Sequence, residues 1–203
     1  PFVVRSRGWL CGERLCALLL DYLPGGSLGA LLRRTGPLGQ RAARFYVGQA
    51  ALGLAHLHER RVGHRDLKPD NLCLSSAGHC TLGQGQGEGE GEGRSFSLLG
   101  TPDYLAPEMF LREGHGPRVD LWALGATLYE LLLDALPFGS GGDPTATYAA
   151  ALRGAPHFPA SPFLFCAAAK DLVMALLSRD PTARPSPSAL LQHPFFGAGA
   201  FPK

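Results

Sequence analysis

Apolar residues recur along most of the chain at the spacing of helices that bury one face. Between residues 41 and 60 they fall three and four positions apart, which predicts one long amphipathic helix. Residues 120 to about 133 are apolar nearly all round, so a helix here should lie at the centre of a helical domain. Shorter helices are predicted over residues 28–34, 145–152 and 169–177.

β-strands are predicted only as short pieces. Residues 2–4 are β-prone, and the continuous apolar run at residues 15–20 is typical of a buried strand. Residues 72–74 and 79–82 should form a small hairpin. Strands this short beside several helices predict an α+β fold that is mainly α-helical.

Residues 83–93 interrupt both patterns. They alternate glycine with glutamine or glutamate and contain no apolar residue that could be buried. Glycine also gives the backbone its greatest conformational freedom. We therefore expect this segment to be mobile.

Composition places the chain among globular proteins of one domain or one large lobe. Its 203 residues are 45% hydrophobic and 18% charged, and a net charge of +2 gives no case for a nucleic-acid or membrane partner. The longest apolar run, residues 121–133, is too short to span a bilayer. The chain starts at Pro1 without methionine, so we expect it to be a fragment.

The five cysteines are odd in number and lack the spacing of metal ligands. Scattered reduced thiols are typical of an intracellular protein. The sequence therefore predicts a cytoplasmic location, with the nucleus also open.

The residues with the clearest chemistry are His-Arg-Asp-Leu-Lys-Pro-Asp-Asn at positions 64–71. Pro69 limits helix formation, so the stretch should be a loop. Phosphoryl transfer needs a carboxylate to accept a hydroxyl proton, a cation to offset phosphate charge and an amide oxygen for a metal ion. Asp66, Lys68 and Asn71 can supply these groups in that order. If only three such residues were scattered along the chain, an ordinary polar loop after a helix would be the better interpretation.

The whole octet closely resembles the catalytic-loop signature of the eukaryotic protein kinase family, in its serine/threonine form. Residues 100–108, Gly-Thr-Pro-Asp-Tyr-Leu-Ala-Pro-Glu, resemble the end of an activation segment of the AGC-like group. The resemblance implies a partial kinase domain over residues 1–203, namely a large C-terminal lobe with remnant strands of the small lobe. Its parts would be the last small-lobe strands at 1–22, the hinge at 21–28, the large lobe at 28–196 and the activation segment at 83–108.

The resemblance also assigns roles to individual residues. It implies that Glu108 pairs with Arg184 and that the aspartate opening the central helix anchors the catalytic loop. The implied residues are catalytic Asp66, Lys68 and Asn71; nucleotide-binding Asp21, Leu23 and Cys73; structural His64, Glu108, Asp120 and Arg184; regulatory Arg65, Ser97 and Thr101; and substrate-binding Asp70 and Glu130.

ATP and Mg²⁺ are the implied cofactors, yet the chain departs from the family pattern. Gln84-Gly85-Gln86 stands where kinases carry Asp-Phe-Gly, and a neutral amide cannot replace an anionic magnesium ligand. The chain also lacks a glycine-rich phosphate loop and the strand lysine. We therefore expect it to bind Mg-ATP poorly and to transfer phosphate at no useful rate, with Asn71 as the remaining metal ligand.

Three interpretations stay open at this point. The first, which Asp66, Lys68 and Asn71 favour, is a serine/threonine kinase whose sequence is truncated and damaged over residues 83–93. For such a kinase the resemblance implies a protein substrate with basic residues near the acceptor and an upstream kinase acting on Ser97. The second is a pseudokinase-like scaffold, which Gln84 favours. The third is a regulatory fragment that binds a partner through the exposed edge of its N-terminal strands.

Overall fold

The computed structural model describes residues 2–83, 85, 100–111, 113–139, 143–159 and 165–197. Most of the regular structure in these ranges is helical, and the predicted mainly helical α+β class is confirmed. The elements are β1 (Ser6–Cys11), β2 (Cys16–Leu20), α1 (Leu28–Thr35), α2 (Gln40–His58), β3 (Leu72–Leu74), β4 (Cys80–Leu82), α3 (Pro107–Phe110), α4 (Val119–Leu133), α5 (Pro144–Arg153), α6 (Ala167–Leu176) and α7 (Pro187–Leu190).

Helix α4 lies at the centre of the domain, as its sequence predicts. Nearly all of its residues are buried, and it packs against both α2 and α6. Gly125 permits the close approach of α6, since a Cβ at this position would lie 2.8 Å from the Cβ of Leu176. Because α4 has no polar face, burial of apolar surface on every side holds it in place.

Local signals set the helix ends. The Ser27 hydroxyl accepts a hydrogen bond from the backbone of Ala30, 3.1 Å away, and caps α1. At the other end, Gly36 has a φ of 73° and donates its N–H to Leu32, which stops the helix. Ser186 and Pro187 start α7 as a cap and first-turn pair.

The N-terminal strands differ from the prediction in position and in burial. The first strand is Ser6–Cys11 and not residues 2–4; Val3 forms only an isolated bridge to Leu82. The run at 15–20 is not buried, since Leu15 and Leu18 are 73% and 60% exposed. β1 and β2 pair with each other in a two-stranded antiparallel sheet. Such a ribbon cannot bury its own side chains, so an apolar run alone does not decide burial.

The segment between β2 and α1 is tied to the β3–β4 hairpin. The backbone N–H of Gly25 donates to Leu74, and the N–H of Leu74 donates to Gly26, at 2.9 and 2.8 Å. The register of the hairpin pairs Leu72 with Leu82 and Leu74 with Cys80. Residues 21–28 therefore have a fixed position beside β3.

Two cysteines contradict the expectation of scattered thiols. Cys11 and Cys16 are joined in a disulfide at the end of the β1–β2 hairpin, where the strand register sets them opposite each other. Cys73, Cys80 and Cys166 are free.

The structure bears only in part on two other predictions, the lack of a membrane-spanning segment and the mobility of residues 83–93. Within the described ranges, no helix has the length and apolar character needed to cross a membrane. The predicted mobility of residues 83–93 falls on a segment of which only Gly83 and Gly85 are described.

Candidate active site

The loop at residues 64–71 runs from the end of α2 to the start of β3. Leu67 within the loop and Leu72 at the start of β3 anchor it, since they are 1% and 0% exposed. Pro69 begins a single 3₁₀ turn over Pro69–Asn71, in agreement with the predicted loop. The polar residues between these anchors consequently have fixed positions on the domain.

Asp120, at the first turn of α4, holds the start of this loop. Its carboxylate accepts the backbone N–H of His64 at 2.8 Å and that of Arg65 at 2.7 Å. Asp120 is fully buried, and Arg65 has a left-handed backbone with a φ of 64°. A non-glycine residue adopts this conformation only where its surroundings compensate for the strain. The two charge-assisted hydrogen bonds provide that compensation.

His58 is a third partner of Asp120, and sequence reasoning missed it. Its Nε2 lies 2.8 Å from Asp120 Oδ2. The two residues are 62 positions apart in the chain, so no local spacing could reveal the contact.

Asp66, Lys68 and Asn71 meet in one cluster with Thr101. The Asn71 side-chain amide donates to Asp66 Oδ2 at 2.8 Å and to the Asp66 carbonyl at 2.6 Å. The Thr101 hydroxyl donates to Asp66 Oδ1 at 3.0 Å, and Lys68 Nζ donates to the same hydroxyl at 2.5 Å. Lys68 Nζ also lies 3.4 Å from Asp66 Oδ2. This arrangement presents one oriented carboxylate beside one cation.

Asn71 can offer a metal ion its amide oxygen. Its two hydrogen bonds to described residues both use the amide nitrogen, and within that part of the chain the oxygen is open to a cation. Among the described residues, no group of three or more His, Cys, Asp or Glu could hold a metal. The donor set therefore fits an Mg²⁺ ion held mainly by nucleotide phosphates with help from Asn71. Gln84 lies outside the described residues.

The predicted pair of Glu108 and Arg184 is present. The two guanidinium nitrogens of Arg184 donate to the two carboxylate oxygens of Glu108 at 2.6 and 2.8 Å. Both residues are buried, and the guanidinium also lies 5.3 Å from the centroid of the Trp122 ring in α4. Arg184 donates further to the carbonyls of Ser178 and Arg118. The pair therefore ties the 100–108 segment to the base of the domain.

Asp70 and Glu130, the predicted substrate-binding acids, already have partners within the chain. Arg33 of α1 forms two hydrogen bonds to the Asp70 carboxylate, at 2.9 and 3.3 Å. The Tyr104 hydroxyl donates to Glu130 at 2.5 Å. Burial, with nearby Asp70 adding to it, raises the pKa of the Glu130 carboxyl. The sequence did not point to either Arg33 or Tyr104.

The predicted nucleotide-binding residues lie near β3 and β4. Asp21 and Leu23 line a cavity of about 510 Å³ between residues 2–5 and the β3–β4 hairpin. The Asp21 carboxylate accepts a hydrogen bond from Arg7. Cys73 does not line this cavity; it forms a bridge with Ser27, and burial raises the pKa of its thiol. The three residues therefore share a neighbourhood but not one cavity wall.

The predicted regulatory residues are described only in part. Arg65 is 4% exposed, and Thr101 belongs to the Asp66 cluster. Gly100 has a φ of 123°, and a Cβ on it would lie 2.7 Å from the Arg65 carbonyl oxygen. Ser97 lies outside the described residues.

His64, the first residue of the loop, is buried. It is 3% exposed, and Gly85 packs so closely that a Cβ there would lie 2.6 Å from the His64 carbonyl oxygen. Neither ring nitrogen has a hydrogen-bond partner of ordinary geometry among the described residues. Burial lowers the pKa of His64, although nearby Asp120 opposes that change.

The unfolding free energy should fall in mild acid because of His64. Its folded-state pKa is lowered, so below about pH 6.5 the unfolded chain binds a proton that the folded chain resists. One such group changes the free energy of unfolding by at most about 1.4 kcal/mol per pH unit. His64→Phe keeps a ring but cannot titrate, so urea unfolding from pH 7 to 5 should show a shallower pH dependence. The exposed His56→Asn is the control, and equal slopes in His64→Phe and the unmodified chain would contradict the assignment.

Comparison with known proteins adds independent information. The protein kinase domain family matches residues 1–196. A protein of Caenorhabditis elegans named cAMP-dependent protein kinase, catalytic subunit-like, is 36% identical over 184 residues, which are 91% of this chain and 45% of the relative. The cAMP-dependent protein kinase catalytic subunit of Dictyostelium discoideum is 38% identical over 184 residues, 91% of this chain and 28% of the relative.

A human relative matches this chain at a similar level of identity. The cAMP-dependent protein kinase catalytic subunit PRKX is 35% identical over 184 residues, which are 91% of this chain and 50% of that protein. The chain therefore spans half the length or less of these three curated relatives.

Proposed function

Because the chain belongs to the protein kinase family, in its serine/threonine, AGC-like group, we propose that the loop at 64–71 transfers the γ-phosphate of ATP to protein serine and threonine hydroxyls. The supporting observation is the cluster in which Asn71 and Thr101 orient the Asp66 carboxylate and Lys68 lies beside it. In this proposal residues 21–28 are the hinge and residues 28–196 the large lobe. An intracellular location, cytoplasmic or nuclear, goes with it.

Each side chain of the cluster has a role in this chemistry. Asp66 is only 13% exposed at its side chain, and Asn71 and Thr101 hold one oxygen each, so its carboxylate has little freedom to turn. It accepts the proton of the substrate hydroxyl as that oxygen attacks. Lys68, 3.4 Å from Asp66, supplies positive charge where phosphate charge develops. ATP would supply the phosphoryl group, and its Mg²⁺ ion would neutralise the phosphate charge. Asn71 would be the protein ligand of that ion.

We expect the rate of this transfer to be low in the 203-residue chain. Gln84 offers a neutral oxygen where the family pattern has an anionic magnesium ligand. A magnesium ligand at this position acts on the charge of the transition state, so its loss lowers the rate without changing the role of Asp66.

A radiolabelled phosphate-transfer assay on a serine peptide tests the proposal. Four chains are compared: unmodified, Asp66→Asn, Gln84→Asp and the double variant. Slow transfer by the unmodified chain should increase in Gln84→Asp and disappear in both chains that carry Asp66→Asn. If folded Gln84→Asp transfers no more phosphate than the double variant, the proposed activity is wrong and the pseudokinase-like scaffold is favoured. Rapid transfer by the unmodified chain would contradict the expected low rate while supporting the proposed function.

We further propose that the substrate carries basic residues near the acceptor and that Asp70 and Glu130 recognise them. Support comes from Arg33, which forms two hydrogen bonds to Asp70. The hydrogen bond to the Asp70 carboxylate raises the pKa of the Arg33 guanidinium. An internal arginine at this carboxylate indicates that the position accepts a guanidinium. Since Arg33 and Asp70 are both well exposed, a substrate arginine can displace Arg33 at low cost.

A peptide with arginines before its serine should bind about threefold tighter than its alanine counterpart, the effect of one exposed charge pair. Fluorescence anisotropy measures both affinities. Asp70→Asn should reduce the difference, because only Glu130 then remains, and Arg33→Ala should increase it by removing the competing arginine. Glu59→Gln, on an exposed acid at the end of α2, is the control. Equal affinity of the unmodified chain for the two peptides would rule out this recognition.

Phosphorylation of Ser97 by an upstream kinase is a further part of the proposal, with Arg65 as the partner of the phosphate. The close approach of Gly100 to the Arg65 backbone supports it, because Ser97 is only three residues before Gly100. We expect phosphopeptide mapping of the protein from cells to find phosphate on Ser97. Phosphate found only outside residues 94–101 would count against this assignment.

A further inference from the structure

The β1–β2 hairpin ends in a pair of cysteines held opposite each other. The register pairs Cys11 with Cys16, and the N–H of Gly12 donates to the carbonyl of Leu15 at 2.8 Å, which closes the turn around Glu13 and Arg14. The Cα atoms of the two cysteines are 4.2 Å apart, close to the spacing of the narrow, non-hydrogen-bonded pairs of antiparallel sheets. The strand register therefore places the two cysteines directly opposite each other on neighbouring strands.

Both cysteines are exposed, in contrast to the other thiols of the chain. Cys80 is buried, and Cys73 and Cys166 are partly buried. An exposed disulfide is open to attack by small thiols, which is typical of labile and regulatory disulfides. In compartments that keep most thiols reduced, such disulfides are usually transient or redox-sensing.

The hairpin leads directly into the proposed nucleotide-binding segment. β2 ends at Leu20, and the next residue, Asp21, donates its backbone N–H to Arg5 at 3.0 Å and accepts a side-chain hydrogen bond from Arg7. Arg5 and Asp21 both line the cavity of about 510 Å³ beside the β3–β4 hairpin. A change in the rigidity of the hairpin thus acts on residues of that cavity wall.

We propose that Cys11 and Cys16 form a reversible redox switch whose oxidation fixes the β1–β2 hairpin and the segment that leads to Asp21. The oxidant is a small-molecule disulfide such as glutathione disulfide. One cysteine thiolate attacks it and releases one glutathione, and the second cysteine then displaces the other. Two thiols lose two electrons and two protons, which appear in two molecules of reduced glutathione. A two-stranded ribbon is marginally stable in water, so a covalent link between its strands has a large effect on its order.

Trypsin offers a direct test, because Arg14 lies in the turn between the two cysteines. After oxidation by glutathione disulfide and blocking of free thiols, digestion should release residues 8–14 joined to the peptide that begins at Leu15. The joined species should separate on treatment with reduced glutathione. Cys11→Ser and Cys16→Ser should each abolish it, whereas Cys166→Ser should leave it unchanged. Separate peptides from the oxidised chain, or a link that resists glutathione, would overturn the proposed switch.

Hydrogen exchange tests the second half of the proposal. Backbone amides of residues 5–23 should exchange more slowly in the oxidised chain than in the reduced chain, while those of α4 should exchange equally in both. Cys11→Ser should show the faster exchange under both conditions. If residues 5–23 exchange equally in the two redox states of the unmodified chain, the disulfide does not act on this segment and the switch is excluded.

Discussion

Replacing Glu108 by glutamine is expected to destabilise the domain by about 3–5 kcal/mol, the usual cost of removing one partner of a buried ion pair. Glu108 is buried and accepts two hydrogen bonds from Arg184, which is itself 2% exposed. The glutamine side chain keeps one acceptor oxygen and presents an NH₂ group to the second guanidinium nitrogen. A buried positive charge then remains without a counter-charge. Chemical denaturation followed by circular dichroism measures the loss.

A double-mutant cycle separates the pair from its surroundings. Arg184→Met removes the charge and keeps an apolar stem against Trp122, so Glu108→Gln with Arg184→Met should cost less than the sum of the two single changes. Arg33→Met is the control, because Arg33 makes a similar two-bond contact with exposed Asp70 and should change the unfolding free energy little. Additive effects at Glu108 and Arg184 would show that the pair has no coupling.

Replacing Asp120 by asparagine should lower the free energy of unfolding by about 3 kcal/mol and lower any phosphate transfer through the 64–71 loop. The carboxylate accepts two backbone N–H groups and contacts His58, all within 2.8 Å. Asparagine can accept with one oxygen only, so one buried N–H at His64 or Arg65 loses its partner. The left-handed Arg65 then loses part of what compensates for its strain, and Asp66 next to it loses its fixed direction.

A second aspartate–histidine contact in the same chain supplies the matched control. The Asp171 carboxylate lies 3.0 Å from His193 Nε2, but its side chain is 77% exposed, and Asp171→Asn should leave stability and transfer nearly unchanged. Thermal unfolding and the radiolabelled assay are measured on both variants. Asp120→Asn with unchanged melting would show that the loop does not depend on this anchor.

The parts of the site that sequence could predict are those whose residues are contiguous or carry a strong motif. Asp66, Lys68 and Asn71 fall within six residues, so one loop was enough to bring them together. The pair of Glu108 and Arg184, 76 positions apart, was predicted only through the family resemblance. The central position of helix α4 could be predicted because a helix that is apolar all round is stable only in the protein interior.

What sequence missed depends on contacts between distant segments. His58 reaches Asp120, and Arg33 reaches Asp70, across 62 and 37 positions, and neither contact has a local pattern. The first strand was placed too early because residues 2–4 have β propensity but find only one bridge partner, Leu82. The run at 15–20 was expected inside because hydrophobicity alone does not tell which surfaces the rest of the chain can cover.

Helix α4 carries, on a single rigid rod, side chains that serve three separate tasks. Asp120 at its start holds the 64–71 loop, Trp122 two residues further on packs on Arg184, and Glu130 near its end bonds to Tyr104 of the 100–108 segment. A rod buried on all sides cannot shift at one end without disturbing the apolar contacts along its whole length. The 64–71 loop, the Glu108–Arg184 ion pair and the Tyr104–Glu130 contact thus belong to one cooperative unfolding unit, and warming the protein removes all three together instead of releasing them one at a time.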